Sequence, residues 1–308
     1  MSERIGPYRI TRRLGEGGMG QVFAGRRHAG EAEVAIKILS AGDHLDADGA
    51  ARFQREVEAM RSLRHPHVVQ ILDWGREGPL PWLAMELVEG ESLDRLLERG
   101  PLSGLEAVEL VEPVADALAH AHERGVLHRD LKPANVLLRY RDAKPLLTDF
   151  GLARRLDRSQ GLTQTGEIVG SPGFLAPEQC GSGESPGPSV DVYGLGALLY
   201  ALVTGAPPCP GATVLDALRN VLESVPRLPS TLVPAIDPDL EGLIMRCLAK
   251  SPAERPASIR ALQRELRAWS EERRVAPRRR AGPPPVVVGG LALALAFAVG
   301  GASALVAR

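Results

Sequence analysis

His128-Arg129-Asp130-Leu131-Lys132-Pro133-Ala134-Asn135, the run HRDLKPAN, gathers an acid, a base and an amide on one short loop. An aspartate such as Asp130 accepts or steers the proton of an incoming alcohol. Asn135, five residues on, offers an oxygen ligand suited to Mg²⁺, a hard cation. Lys132 puts positive charge where a transferring phosphoryl group develops negative charge. Fourteen residues past Asn135 stands Asp149, in Asp149-Phe150-Gly151, a second carboxylate able to bind a magnesium ion that bridges phosphates. Each fragment alone reads as a solvated turn. In this order and spacing they read as a phosphoryl-transfer centre.

Upstream lies a glycine loop, Gly15-Glu16-Gly17-Gly18-Met19-Gly20, followed by Val22. Glycines let the backbone approach phosphate oxygens and leave N–H donors unobstructed. Such a loop alone reads equally well as a flexible hairpin. Its setting between strand-like stretches differs from a dinucleotide fingerprint, which opens a helix. Lys37 follows Gly20 by 17 residues, among Val34, Ala35 and Ile36. A lysine so buried needs an acidic partner. Glu56, on the helix expected next, is the candidate; such a pair holds the α- and β-phosphates through the lysine.

Strand-like segments occupy the first part of the chain: Tyr8 to Ile10, 14–25, EVAIKIL (33–39), VVQILDW (68–74) and PWLAMELVEG (81–90). Phe53, Val57 and Met60 fall at helix spacing within 49–63. From Ser92 onward helical patterns dominate. Ala107 to Arg124 carries an apolar stripe interrupted by Pro113, and Gly125 closes it. Two short strand pairs are expected to bracket 128–135. The stretch 190–205, apolar almost all round, is a central buried helix; further helices are expected near 212–223, 238–249 and 258–271. The fold class is α+β, a small β-rich part and a larger helical part with a cleft between them.

The chain has 308 residues, 44% of them apolar, and its 37 basic and 38 acidic side chains nearly cancel. No strong field points to nucleic acid, and no nucleic-acid partner is expected. Cys180, Cys209 and Cys247 form no CxxC pair and no disulfide framework, which fits bystander thiols in a reducing compartment. MSERIGPYRI lacks the apolar stretch of a cleavable signal. Residues 286–307, VVVGGLALALAFAVGGASALVA, carry no charge. As a helix they would span the ~30 Å hydrocarbon layer. Arg273, Arg274, Arg278, Arg279 and Arg280 precede this stretch and only Arg308 follows, so the N-terminal part is expected in the cytoplasm and the protein in the cell membrane as a single-pass chain. Residues 271–285 are a basic, Pro-rich linker.

From about Tyr8 to Trp269 the sequence resembles the eukaryotic-type (Hanks-type) protein kinases, especially their bacterial membrane-anchored serine/threonine members. The resemblance implies the bilobal protein-kinase fold plus one C-terminal transmembrane helix, with a kinase domain over 8–270 (N-lobe about 8–88, C-lobe about 89–270). It implies ATP and Mg²⁺ as cofactors. Gly15 to Val22 would cover the phosphates, with Leu14, Ala35 and Leu137 completing the nucleotide site. Met85 would be the gatekeeper, and the Glu86 carbonyl and Val88 amide would face adenine. Asp130 matches the catalytic base, Asn135 and Asp149 the magnesium ligands, and Lys37 and Glu56 the paired lysine and glutamate. Ala176-Pro177-Glu178 matches the Ala-Pro-Glu motif, with Glu178 expected to pair with Arg255, and Asp191 to anchor the catalytic loop. Met60, Ile71, His128 and Phe150 fall on the regulatory spine. Lys132 marks serine/threonine preference, so protein substrates are expected. Ser171 and Leu175 stand where many members have Thr and Met.

The resemblance also implies that Arg129 pairs with a phosphorylated activation loop, and Thr163 and Thr165 are the candidate phosphosites. Gly290, Ala294, Ala298 and Ala302 form a small-residue stripe that would suit a homodimer. No extracellular sensor is expected beyond residue 307, whether the chain is tail-anchored or its gene is cut short. Two other readings stand beside this one: a non-catalytic membrane scaffold, which loss of Lys37, Asp130, Asn135 or Asp149 would favour, and a small-molecule phosphotransferase, which generally lacks the Ala-Pro-Glu segment.

Overall fold

Alternation along Val34-Ala35-Ile36-Lys37-Ile38-Leu39 makes a strand with two different faces. A computed structural model of the chain describes residues 4–17, 20–39, 47–78, 80–150, 172–180 and 186–275. In it this strand is β4, inside a six-stranded antiparallel sheet. The others are β1 (Arg4–Ile5), β2 (Tyr8–Gly17), β3 (Gly20–Arg26), β5 (Ile71–Glu77) and β6 (Leu80–Glu86). The order is β1-β2-β3-β4-β6-β5. Ile36 joins Ile5, Tyr8, Phe23, Trp82 and Ala84 in a small cluster on one face. Ala35 and Leu39 face the other way, toward Phe53, Val57 and Met60 of α1 (Ala47–Arg61). Period two therefore sends Lys37 to the α1 side, where the sheet overhangs the second lobe.

Two strand expectations shift. Of the segment 68–74, only its later part belongs to β5. Val68 instead bridges Leu147 in parallel, and the Val69 N–H donates to the Leu147 carbonyl at 2.9 Å. Those backbone groups are committed to the other lobe, so they cannot join the sheet. Likewise, among the described residues no strand lies directly before the 128–135 loop. A three-stranded sheet holds β7 (Gly90–Ser92), β8 (Val136–Arg139) and β9 (Pro145–Leu147) in that order. β7 comes from the end of the 81–90 segment, where the chain leaves β6 at Glu86 and crosses between lobes.

The helical lobe follows with α2 (Leu93–Leu97), α3 (Gly104–His122), α4 (Ser189–Thr204), α5 (Val214–Glu223), α6 (Pro238–Cys247) and α7 (Ile259–Val275). α3 begins three residues earlier than its apolar stripe because Ser103 and Glu106 form a reciprocal cap. Pro113 stands inside without ending it. The ~3 kcal/mol cost of a mid-helix proline is offset by complete burial of Val108, Val111, Val114 and Leu118. α4 is buried from Val190 to Val203 and stops at Gly205, whose φ of 77° suits glycine. Two glycines let it pack closely. A Cβ on Gly196 would lie 2.3 Å from Cys247 Cβ on α6, and one on Gly194 would lie 2.8 Å from Leu131 Cβ in the catalytic loop.

α7 lies along α3, fastened by arginines seven residues apart. Arg260 reaches Asp116 (2.8 Å) and Glu123 (2.9 Å), Arg267 reaches Glu112 (2.7 Å), and Arg274 reaches Glu109 (3.1 Å). The three cysteines are free thiols, and burial pushes Cys247 up to about 12. Among the described residues no helix is long and apolar enough to cross a membrane. The expected span at 286–307 and most of the linker lie outside the described residues.

Candidate active site

The catalytic loop is held by one buried carboxylate. Asp191, in the first turn of α4 and 1% exposed, accepts the His128 N–H at 2.8 Å and the Arg129 N–H at 2.7 Å. His122, from the end of α3, meets the same carboxylate at 2.7 Å. Burial alone would raise the Asp191 carboxyl, but the His122 bond, the nearby imidazoles and the Arg129 N–H outweigh it and hold the group below its ordinary range. These bonds let Arg129 adopt a φ of 64°, a conformation that costs about 1–3 kcal/mol in a residue with a side chain. Gln179 fixes the other side of that peptide by donating to the Arg129 carbonyl at 2.7 Å.

His128 is fully buried and neutral. The Asp130 N–H donates to His128 Nδ1 at 3.3 Å, so the proton sits on Nε2, which donates to the Thr148 carbonyl at 2.9 Å. Burial pushes its pKa down, in keeping with that state. Its ring lies 4.8 Å from Phe150, between centroids. The imidazole thereby ties the loop to the segment carrying Asp149.

On this frame Asp130 points one oxygen at two donors. Oδ2 accepts from Lys132 Nζ at 2.8 Å and from Asn135 Nδ2 at 2.9 Å. Asn135 Nδ2 also donates to the Asp130 carbonyl at 2.7 Å, which commits its nitrogen and leaves its amide oxygen for a ligand. The short 3₁₀ turn Pro133–Asn135 carries this amide back to Asp130. All three side chains are buried, so their ion pair and hydrogen bonds act at low dielectric.

Across the cleft, Lys37 Nζ stands 2.8 Å from Asp149 Oδ1. This corrects the expected pairing with Glu56. Asp149 takes a φ of 58°, which turns its carboxylate toward β4, and a lysine only 9% exposed there meets Asp149 first. Glu56 stays half-buried on α1, with contacts of its own.

Between the lobes opens a cavity of about 530 Å³. Leu14, Val22 and Ala35 form its roof, Met85, Glu86 and Val88 its back, and Leu137 its floor; Lys37 and Asp149 stand at its inner end. Gly15, Glu16, Gly17 and Gly20 lie on the β2–β3 hairpin, whose register closes with Gly17 opposite Gly20. Glu16 pairs with Arg13 and Gln21. Gly20 has a φ of 132°, and a Cβ there would fall 1.8 Å from the Ile38 carbonyl oxygen, so no larger residue fits. Gly18, Met19, Gly151, Thr163, Thr165 and Ser171 lie outside the described residues. Val69, Ser92, Arg95, Tyr140 and Thr148 also line the cavity, though the sequence analysis did not single them out. Thr148 had a usable signal, its place directly before Asp149. It donates to Met85 Sδ at 3.9 Å and closes the cavity's inner end.

At the Ala176-Pro177-Glu178 segment stands a second ion pair, between a buried arginine and a partly buried glutamate. Arg255 Nη1 and Nη2 grip Glu178 at 2.6 and 2.8 Å, and the arginine also donates to the carbonyls of Ala249, Ser189 and Lys250. Its guanidinium lies 5.0 Å from the Tyr193 ring centroid. Burial raises the Glu178 carboxyl, but the Arg255 bonds outweigh this and leave it below the usual carboxylate value.

A two-ligand set, Asn135 and Asp149, fits magnesium, which keeps several waters and phosphate oxygens in its shell. Among the described residues no group of three or more His, Cys, Asp or Glu side chains is arranged to cage a metal ion.

Comparison with known proteins gives one consistent answer. The family model described as protein kinase domain matches residues 8–266. Serine/threonine-protein kinase PkaA of Streptomyces coelicolor is 46% identical over 278 residues, covering 86% of this chain and 50% of the relative. Serine/threonine-protein kinase PknF of Mycobacterium tuberculosis is 38% identical, covering 80% and 53%. The chain thus spans about half the length of these curated relatives. Among solved structures, the Mycobacterium tuberculosis PknI kinase domain superposes with a TM-score of 0.68 at 31% identity, over 86% of this chain and 97% of that one.

Proposed function

We infer the reaction from one premise: the chain belongs to the protein kinase family. It is a serine/threonine protein kinase that moves the γ-phosphoryl group of ATP to serine or threonine hydroxyls of proteins. The observation that carries this reading is the Asp130 carboxylate, held at once by Lys132 (2.8 Å) and Asn135 (2.9 Å). An acceptor hydroxyl that hydrogen-bonds to Asp130 is oriented for in-line attack, and Lys132 sets positive charge beside the group in transfer. Lys37 serves the phosphates from the roof of the cleft. Asn135 and Asp149 would hold magnesium, whose chemistry is to screen the phosphates' negative charge. The intact set Lys37, Asp130, Asn135 and Asp149 speaks against a scaffold without catalysis. The Glu178–Arg255 anchor of the Ala-Pro-Glu segment speaks for a polypeptide acceptor.

Incubating the full chain with ATP and magnesium, then mapping phosphate by mass spectrometry, tests this. Transfer to serine and threonine, with Thr163 and Thr165 modified and activity rising as they fill, is the expected result. A fully active enzyme with both threonines bare would remove them as switches, and no transfer to any protein would remove the reaction.

The same reading places the kinase domain on the cytoplasmic side of the cell membrane, anchored by a helix over 286–307 and paired through its small-residue stripe. The charge-free 22-residue stretch and the arginines before it support this. Reconstitution in vesicles, followed by carbonate extraction and crosslinking, checks both points. Release by carbonate would end the anchoring proposal, and monomers alone would end the pairing.

A further inference from the structure

The peptide between Arg129 and Asp130 bears on where the Asp130 carboxylate points, because it is the link directly before that residue's Cα. Side chains hold both of its polar groups. Its N–H donates to His128 Nδ1 at 3.3 Å, and its carbonyl accepts from Gln179 Nε2 at 2.7 Å. The first bond is internal to the catalytic loop. The second comes from 50 residues away, from the 3₁₀ turn Pro177–Gln179 that closes the Ala-Pro-Glu segment. Lys132 and Asn135 also hold Asp130, but they belong to the same loop and move with it. Asp191 ties the two preceding N–H groups to α4. Gln179 ties the next carbonyl to the acceptor-side segment.

The amide of Gln179 is itself oriented. Its Oε1 accepts the Ala176 N–H at 3.0 Å, so the oxygen faces that donor and the nitrogen faces the Arg129 carbonyl. Its backbone N–H closes the turn onto the Ala176 carbonyl at 2.9 Å. Ala176 is fully buried, and Arg255 grips Glu178, the residue directly before Gln179. The amide therefore stands on a fixed post. Arg129, which it holds, keeps a φ of 64°, a conformation that persists only where surrounding contacts over-determine it.

We propose that Gln179 is a positioning residue for phosphoryl transfer: by fixing the Arg129–Asp130 peptide it holds the Asp130 carboxylate at the aim that in-line attack requires. It acts through Asp130 and not on the substrate. Only a side chain with a donor and an acceptor at one reach serves both Arg129 and Ala176. Glutamate there keeps the bond to Ala176 and loses the donor; methionine, of similar length, loses both. Without the bond the peptide can turn, and a misplacement of ~1 Å at a reacting group costs on the order of 10²-fold in rate. The proposal rests on the kinase reading above and adds a residue to its machinery.

The test compares the full chain with its Gln179→Met and Gln179→Glu variants in transfer from ATP to dephosphorylated casein, each rate divided by the fraction of enzyme that binds ATP. Both variants should lose about ten- to a hundredfold in kcat. KM for ATP should stay within about twofold, because neither Gln179 nor Arg129 lines the nucleotide cavity. In an Asp130→Asn background the same substitutions should cost less than about twofold in single-turnover rate, since residues that act as a unit are not additive. A merely structural tether would cost as much in either background. Gln179→Glu keeps the Ala176 bond and carries the comparison if the methionine variant does not fold. A kcat within about twofold of the parent, or a loss undiminished in the Asp130→Asn background, overturns the positioning role and leaves the kinase reading standing. A parent that transfers phosphate neither to casein nor to its own chain overturns both.

Discussion

Asp130→Asn lowers the rate of phosphoryl transfer about 10²–10⁴-fold, the contribution typical of a positioned acid–base group. The cause is specific. Asp130 Oδ2 is where Lys132 and Asn135 converge, and an amide there cannot accept a hydroxyl's proton or balance the lysine charge. Nucleotide affinity should change little, because Asp130 does not line the nucleotide cavity. Single-turnover transfer and nucleotide binding, measured together, separate the two effects. A variant within tenfold of the parent rate would mean that another group orients the acceptor.

Arg255→Met is the largest expected loss of stability, at most about 3–5 kcal/mol, the result of removing one partner from a buried ion pair, since the Glu178 left behind is only partly buried. The arginine side chain is fully buried, and five of its hydrogen bonds close the region where the Ala-Pro-Glu segment meets α4. Its loss leaves Glu178 with the Ser189 hydroxyl at 3.3 Å and a backbone N–H. The pH dependence should weaken. In the parent, Glu178 titrates below the ordinary carboxylate value, so its contribution is complete above the unfolded pKa and fades as pH falls through the depressed folded one. In the variant the Arg255 bonds are gone while burial still raises the pKa, so less stability is lost on acidification. Denaturant unfolding at pH 7 and at acid pH should show the gap between the two proteins narrowing. A gap independent of pH would show that the carboxylate does not carry the effect.

Much of this site could be read from local pattern. Period-two alternation places Lys37 on the cleft side of β4, and unbroken apolarity marks α4 as the central helix. Spacing alone brought Asp130, Asn135 and Asp149 together. What escaped depends on single backbone angles and on hydrogen bonds between lobes. The Lys37–Asp149 pair follows from the φ of 58° at Asp149, which no composition or periodicity encodes in a residue other than glycine. β5 begins late because Val69 spends its N–H on Leu147, 78 residues away in sequence. His122 carries no pattern of its own at the end of α3, and its imidazole is the third donor on Asp191.

The arginine ladder between α3 and α7 bears on geometry more than on energy. Its members are largely half-exposed, and each such pair is worth only ~0–1 kcal/mol. Yet three ties repeating every seven residues work like the teeth of a key. Sliding α7 by one turn, about 5.4 Å, would mismatch all of them together. The bearing along which the polypeptide leaves the kinase domain at Val275 is therefore set by the acidic face of α3, the helix that also delivers His122 to the catalytic loop.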